Sequence, residues 1–153
     1  MPSTALFRRV HALALAVGLP LVLAACAATP IDAASAGLGA AAPRRVDTAV
    51  GLLAVHEAGR GDTTVVFWPS ILADHAIYQA QVRALGDRYR LLLIDGPGHG
   101  ASGPSPGPFS MRSCADALAA VLDAAAVRGP VVVVGTSWGG LVAGEFALAH
   151  PRR

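Results

Sequence analysis

Gly135-Thr136-Ser137-Trp138-Gly139 sets a serine midway between two glycines. This G-x-S-x-G spacing suits nucleophilic chemistry. A serine held on a strained strand-to-helix turn projects its hydroxyl, and the flanking glycines let other backbone come close. A serine hydroxyl is a poor nucleophile near neutrality, so attack on a carbonyl needs a base to take its proton. The oxyanion that forms needs N–H donors already in place. Taken alone, the same five residues also describe an ordinary glycine-rich turn, and the surrounding chain has to decide between the two.

The elements around Ser137 favour the first reading. Residues 131–134 are four valines bounded by Gly129-Pro130 and Gly135. A β-branched run this short predicts a buried parallel strand. Residues 141–149 are helix-prone, so the turn feeds a helix whose amino end points at whatever Ser137 attacks. Upstream, residues 50–57 and 63–68 read as strands, and Ala58-Gly59-Arg60-Gly61-Asp62 between them has hairpin turn chemistry. Pro69 must end the second strand, because it cannot donate to a ladder.

Residues 73–87 show helical spacing at Ile77, Gln81 or Val82, and Leu85, with Asp74 as the cap. His75 and Tyr78 in this segment read as ordinary surface or half-buried positions. Residues 89–94 form a third, apolar strand, followed by Asp95-Gly96-Pro97-Gly98-His99-Gly100-Ala101-Ser102. Ser110 then caps a helix over residues 111–127, with Cys114, Leu118, Val121, Leu122 and Ala125 on one face. Strands alternating with helices predict an α/β fold with a doubly wound sheet.

The G-x-S-x-G turn and the D-x-x-G-x-G-x-S loop at residues 95–102 together resemble the α/β-hydrolase family, over about residues 50–151. The part resembled is the amino-terminal half of that fold. The resemblance implies an acyl-enzyme on Ser137, a small-molecule acyl substrate, and no metal or organic cofactor. It implies an oxyanion hole formed by the Trp138 N–H and a donor from the loop after the second strand. That loop usually carries His-Gly in the family; here it reads Phe67-Trp68-Pro69-Ser70-Ile71. Pro69 has no N–H, so the matching donor is Ser70, with Ile71 as the alternative. Asp95 would brace its loop by accepting backbone N–H bonds, and His99 would be part of that structural loop instead of a base.

The family's triad runs serine, then Asp or Glu, then histidine, with both partners carboxyl-terminal to the helix that ends near His150-Pro151. His56 is expected at a strand end away from the catalytic edge, and His150 about 18 Å from Ser137 along its helix. The expectation is a chain holding nucleophile and oxyanion hole without base and acid, as an amino-terminal fragment of a serine hydrolase would. The alternative is a truncated or degenerate, non-catalytic lipoprotein or binding module of the same fold. A serine at the elbow, where related dehalogenases and epoxide hydrolases use a carboxylate, argues against their chemistry.

Composition sets the remaining bounds. The 153 residues suffice for one domain, and all 12 basic residues are arginines, scattered along the chain. Arg8 and Arg9 lie in the leading segment, so the remainder is balanced by the 10 acidic residues and offers no electrostatic reason to bind nucleic acid. Residues 1–25 have the form of a signal peptide: a positive start at Arg8-Arg9, an apolar stretch broken by Gly18 and Pro20, then small residues. Its end, Leu23-Ala24-Ala25-Cys26, resembles the bacterial lipoprotein box. That resemblance implies cleavage before Cys26 and its lipidation, and hence an exported protein anchored to a membrane of the cell envelope. The alternatives are an ordinary signal with an incidental cysteine, or an uncleaved anchor. Residues 26–45, rich in Ala, Gly, Ser and Pro, read as a flexible tether, and residues 46–153 as the partial hydrolase domain. With Cys26 modified, Cys114 has no disulfide partner and reads as a small buried hydrophobe.

Overall fold

The computed structural model describes residues 42–153. The expected signal peptide, Cys26 and most of the expected tether lie outside the described residues. These residues form one sheet of β1 (Arg44–Thr48), β2 (Gly51–Gly59), β3 (Thr64–Trp68), β4 (Arg90–Ile94) and β5 (Val132–Gly135). The spatial order is β1-β2-β4-β3-β5. β2 is antiparallel to both β1 and β4, while β3 lies parallel between β4 and β5. The helices are α1 (Gln79–Leu85), entered through a 3-10 turn at His75–Tyr78, α2 (Met111–Ala124) and α3 (Trp138–Ala149).

The period-2 alternation of each strand sorts the core into two layers. Val66, Trp68, Leu92 and Ile94 face α2 and α3, where they meet Cys114, Leu118, Val121, Leu122, Val142 and Phe146. Val65, Phe67, Leu91 and Leu93 face the other way, onto Tyr78 and Val82. Both faces of β3 and β4 are thus covered, which explains why these strands are apolar throughout after their first residues, Thr64 and Arg90. Each buried Leu or Val contributes about 1.5–3 kcal/mol of transfer free energy. Ser110 caps α2 through a reciprocal pair of bonds with Ser113, and the helix ends at Ala124, before Ala126 turns to φ 56°. No helix of the described residues is long and apolar enough to cross a membrane.

Four expectations need correction. Residues 50–57 and 63–68 are strands but not a hairpin, since β4 lies between them. The connection packs instead against the turn before β4, through Arg60 N–H to Gly86 O (2.9 Å) and Arg90 N–H to Thr63 O (3.0 Å). The sheet also begins earlier, at Arg44, inside the stretch expected as tether. Its ladder to β2 and the Arg44–Glu57 ion pair at 2.8 Å hold it there, but Val46 alone is buried, so no alternation announces the strand. In the segment before β4, the 3-10 turn shifts the helical phase. Tyr78 and Val82 turn inward while Ile77 stays 47% exposed. Finally, β5 is parallel but not buried, because among the described residues it pairs only with β3; Val132 is 50% exposed and Val134 36%.

Candidate active site

β5 and α3 are joined by two residues, Thr136 and Ser137. Ser137 has φ 52° and ψ −115°, a conformation that costs a non-glycine residue about 1–3 kcal/mol and persists only where the surroundings impose it. The surroundings are the glycines. A Cβ on Gly139 would lie 2.0 Å from Trp68 O, and one on Gly135 would lie 2.0 Å from Gly139 O. The head of α3 therefore sits directly on the ends of β3 and β5, and only glycine at both positions allows that approach. Gly139 N–H closes the turn onto Thr136 O at 2.9 Å, and Gly140 N–H onto Ser137 O at 2.9 Å. Ser137 is exposed, and its side chain makes no capping bond to α3.

The loop after β3 lies against this turn. Thr136 N–H donates to Trp68 O at 3.3 Å. Two residues on from Trp68, Ser70 is half-buried and its carbonyl accepts from Ala73 N–H at 3.2 Å. Among the described residues, the Ser70 and Trp138 N–H groups make no backbone or side-chain hydrogen bond. Ser137, Trp138, Gly135 and Gly139 thus share one turn, and Ser70 belongs to the segment packed on it. The Trp138 ring meets Trp68 edge-on at 5.8 Å, and lies 5.5 Å from His99 and 6.1 Å from Phe109.

Asp95, at the end of β4, is fully buried. Its carboxylate accepts from the N–H groups of His75 (2.9 Å) and Ala101 (2.9 Å), from His75 Nδ1 (2.8 Å) and from His56 Nε2 (3.1 Å). Burial alone would raise its pKa, but these bonds outweigh burial and hold the carboxyl below the usual aspartate range. The two imidazoles stack at 3.5 Å and 17°. His56, His75 and Asp95 are a donor set whose ligand atoms lie within 4.8 Å of one another. A cation would need both ring nitrogens free of protons with their lone pairs meeting at one point. The rings instead lie face to face, each bonded to the same carboxylate, which fits hydrogen bonding and not coordination.

His99 donates from Nδ1 to Pro97 O (2.9 Å) and accepts from Leu72 N–H at Nε2 (2.9 Å), which fixes its tautomer and occupies its lone pair. Leu72, at φ 63° and 90% exposed, is held in this way beside the turn. His150 is bonded to Asp116 at 2.9 Å. A surface hollow of about 370 Å³ between Gly59, Arg60, Val82 and Asp87 lies at the start of β4, the opposite end of the sheet from Ser137.

Sequence reading missed two features. His56 is not remote from the carboxyl ends of the parallel strands: β2 runs antiparallel, so its middle lies beside the end of β4, with His56 opposite Leu93. Tyr78 is not a surface position. It is 5% exposed, and its hydroxyl donates to Trp68 O (2.9 Å) and meets Thr136 Oγ1 (2.9 Å). Burial raises the Tyr78 pKa, so the hydroxyl stays protonated. Neither feature has a sequence motif; both follow from the strand order.

Comparison with known proteins bears on the family. Residues 63–153 match the α/β hydrolase fold. The pimeloyl-[acyl-carrier protein] methyl ester esterase of Aeromonas hydrophila subsp. hydrophila is 40% identical over 80 residues, 51% of this chain and 29% of that protein. A thermophilic esterase from Thermogutta terrifontis superimposes with a TM-score of 0.68 at 29% identity, over 74% of this chain and 43% of that one. A hydrolase from Pseudomonas aeruginosa gives 0.69 at 31% identity over the same shares. The chain spans less than half the length of each of these relatives. With its sheet order, its strained serine turn and a match over more than half its length, the chain belongs to the α/β-hydrolase fold family.

Proposed function

We propose that the whole protein is a serine hydrolase, carboxylesterase-like, that forms an acyl-enzyme on Ser137. The observation that carries this reading is the exposed Ser137 at φ 52°, fixed between Gly135 and Gly139, with N–H groups that have no partner among the described residues at Trp138 in the same turn and at Ser70 in the segment packed on it. In this reading Ser137 Oγ attacks the acyl carbon as its proton passes to a base. Trp138 and Ser70 N–H stabilise the oxyanion, the alcohol leaves with the proton, and water later releases the acid. Esterases among the relatives support the substrate class.

None of the described histidines is hydrogen-bonded to Ser137: His56 and His75 are bonded to Asp95, His99 to Pro97 and Leu72, and His150 to Asp116. In this reading the base and its orienting acid come from outside residues 42–153. The same observation supports the second reading, a non-catalytic binding module or lipoprotein of this fold. A fluorophosphonate separates the two: capture by the whole protein, abolished in Ser137→Ala, is expected for the hydrolase. A folded wild-type protein that is not captured would establish the inert reading.

The export proposal rests on residues 1–26 alone. Lipidation at Cys26 would hold the enzyme on an envelope membrane. Incorporation of a labelled fatty acid is expected and should vanish in Cys26→Ala; label that persists would overturn it.

A further inference from the structure

The Tyr78 hydroxyl closes a small network. It donates to Trp68 O at 2.9 Å and so, with its one proton committed, accepts from Thr136 Oγ1 at 2.9 Å. Trp68 O also accepts the Thr136 N–H at 3.3 Å. Three segments, the 3-10 turn, the end of β3 and the serine turn, thus meet at one buried carbonyl. The β3–β5 ladder itself stops at Trp68 and Gly135. Beyond that point the two strands lead into separate loops, and the network is the first polar tie past the ladder's end.

Two residues beyond each tied position stands an N–H group without a partner among the described residues, Ser70 after Trp68 and Trp138 after Thr136. We propose that Tyr78 is a positioning residue: its hydroxyl sets the separation and direction of the Ser70 and Trp138 N–H groups, and thereby the oxyanion site, without touching substrate. This rests on the hydrolase reading above. The ring has a separate role, packing on Phe67 at 4.7 Å within the core, so Tyr78→Phe removes the tie while keeping the packing. Thr136→Val removes the same tie from its other side.

The test uses the whole protein, with wild type, Tyr78→Phe, Thr136→Val and the double variant. Amide hydrogen exchange at Ser70 and Trp138 should be faster in each variant while Leu92 in β4 keeps its protection. Capture by a fluorophosphonate, and kcat on an aryl ester, should fall by about ten- to a hundred-fold with KM within about two-fold, because misplacement by an ångström weakens transition-state contacts more than ground-state ones. The double variant should be no worse than either single one. Unchanged exchange at both amides in Tyr78→Phe would overturn the proposal, and so would a full-rate capture or a loss of protection spread evenly over the sheet. If the wild type is not captured at all, the hydrolase reading fails, while the exchange measurement still decides whether Tyr78 fixes the two amides.

Discussion

The loops that leave β4 and β5 emerge from the same edge of the sheet, on either side of β3, and are built on opposite plans. After β4, the polar side chains near the strand end are matched. Asp95 takes four hydrogen bonds, Ser102 Oγ donates to Asp95 O at 2.6 Å and accepts from Ala54 N–H at 2.8 Å, and His99 uses both ring nitrogens. After β5, Ser137 is strained and exposed, and the N–H that follows it has no partner among the described residues. The comparison teaches where a fold keeps polar groups available. A saturated loop costs nothing further once folded, whereas an open turn has to be held from outside, here by glycine contacts and by Tyr78. The saturated loop also braces Leu72, in the loop after β3, through His99.

This contrast can be broken from either side. The largest effect is expected at Ser137, where alanine should lower ester hydrolysis by on the order of 10⁴-fold or more while leaving the unfolding midpoint near wild type. Gly139→Ala comes next. Its Cβ would overlap Trp68 O, so the head of α3 must move, with an expected loss of about 3 kcal/mol in urea unfolding and no capture by a fluorophosphonate. In the saturated loop, Asp95→Ala should cost a similar amount, about 3 kcal/mol, because buried donors lose their acceptor. A cost below 1 kcal/mol would show that the loop does not depend on that carboxylate.

The acid side of the stability curve is a smaller and sharper test. Because the Asp95 carboxyl is held below its unfolded value of about 3.9, its contribution is complete above that pH and disappears as pH falls through the lower folded value. Asp95→Asn should be less stable at neutral pH and flatter below about pH 4 than wild type. The smallest effect is expected at the sheet edge, where Val132→Thr should change stability by less than about 0.5 kcal/mol, since Val132 is half exposed. A loss above about 1 kcal/mol would show that β5 is covered in the whole protein.

Much of this was legible in the residues themselves. The valine run and the G-x-S-x-G spacing located the serine turn, because a β-branched strand that meets a glycine pair has few other local solutions. The α2 face from Cys114 to Leu122 followed from spacing alone, and all four of its apolar positions are buried. What was not legible depends on strand order. Nothing in residues 50–68 says that β4 will insert between two strands joined by a glycine-rich turn. With that order unknown, neither the meeting of His56 with Asp95 nor that of Tyr78 with Trp68 and Thr136 can be foreseen. Strand β1 escaped for a simpler reason, since its single buried residue carries no period.

Cys114 carries a practical consequence. It is completely buried in α2, and burial pushes its thiol up to about 11. Thiol reagents act on the thiolate, so in the native state this sulfur is doubly protected, by access and by protonation. Besides Cys26 it is the chain's only cysteine. A Cys26→Ser protein therefore contains a single chemical clock set in the layer between α2 and the sheet. The rate at which a disulfide reagent modifies it measures how often that layer opens, and would report directly on any variant that loosens the helices from the strands they cover.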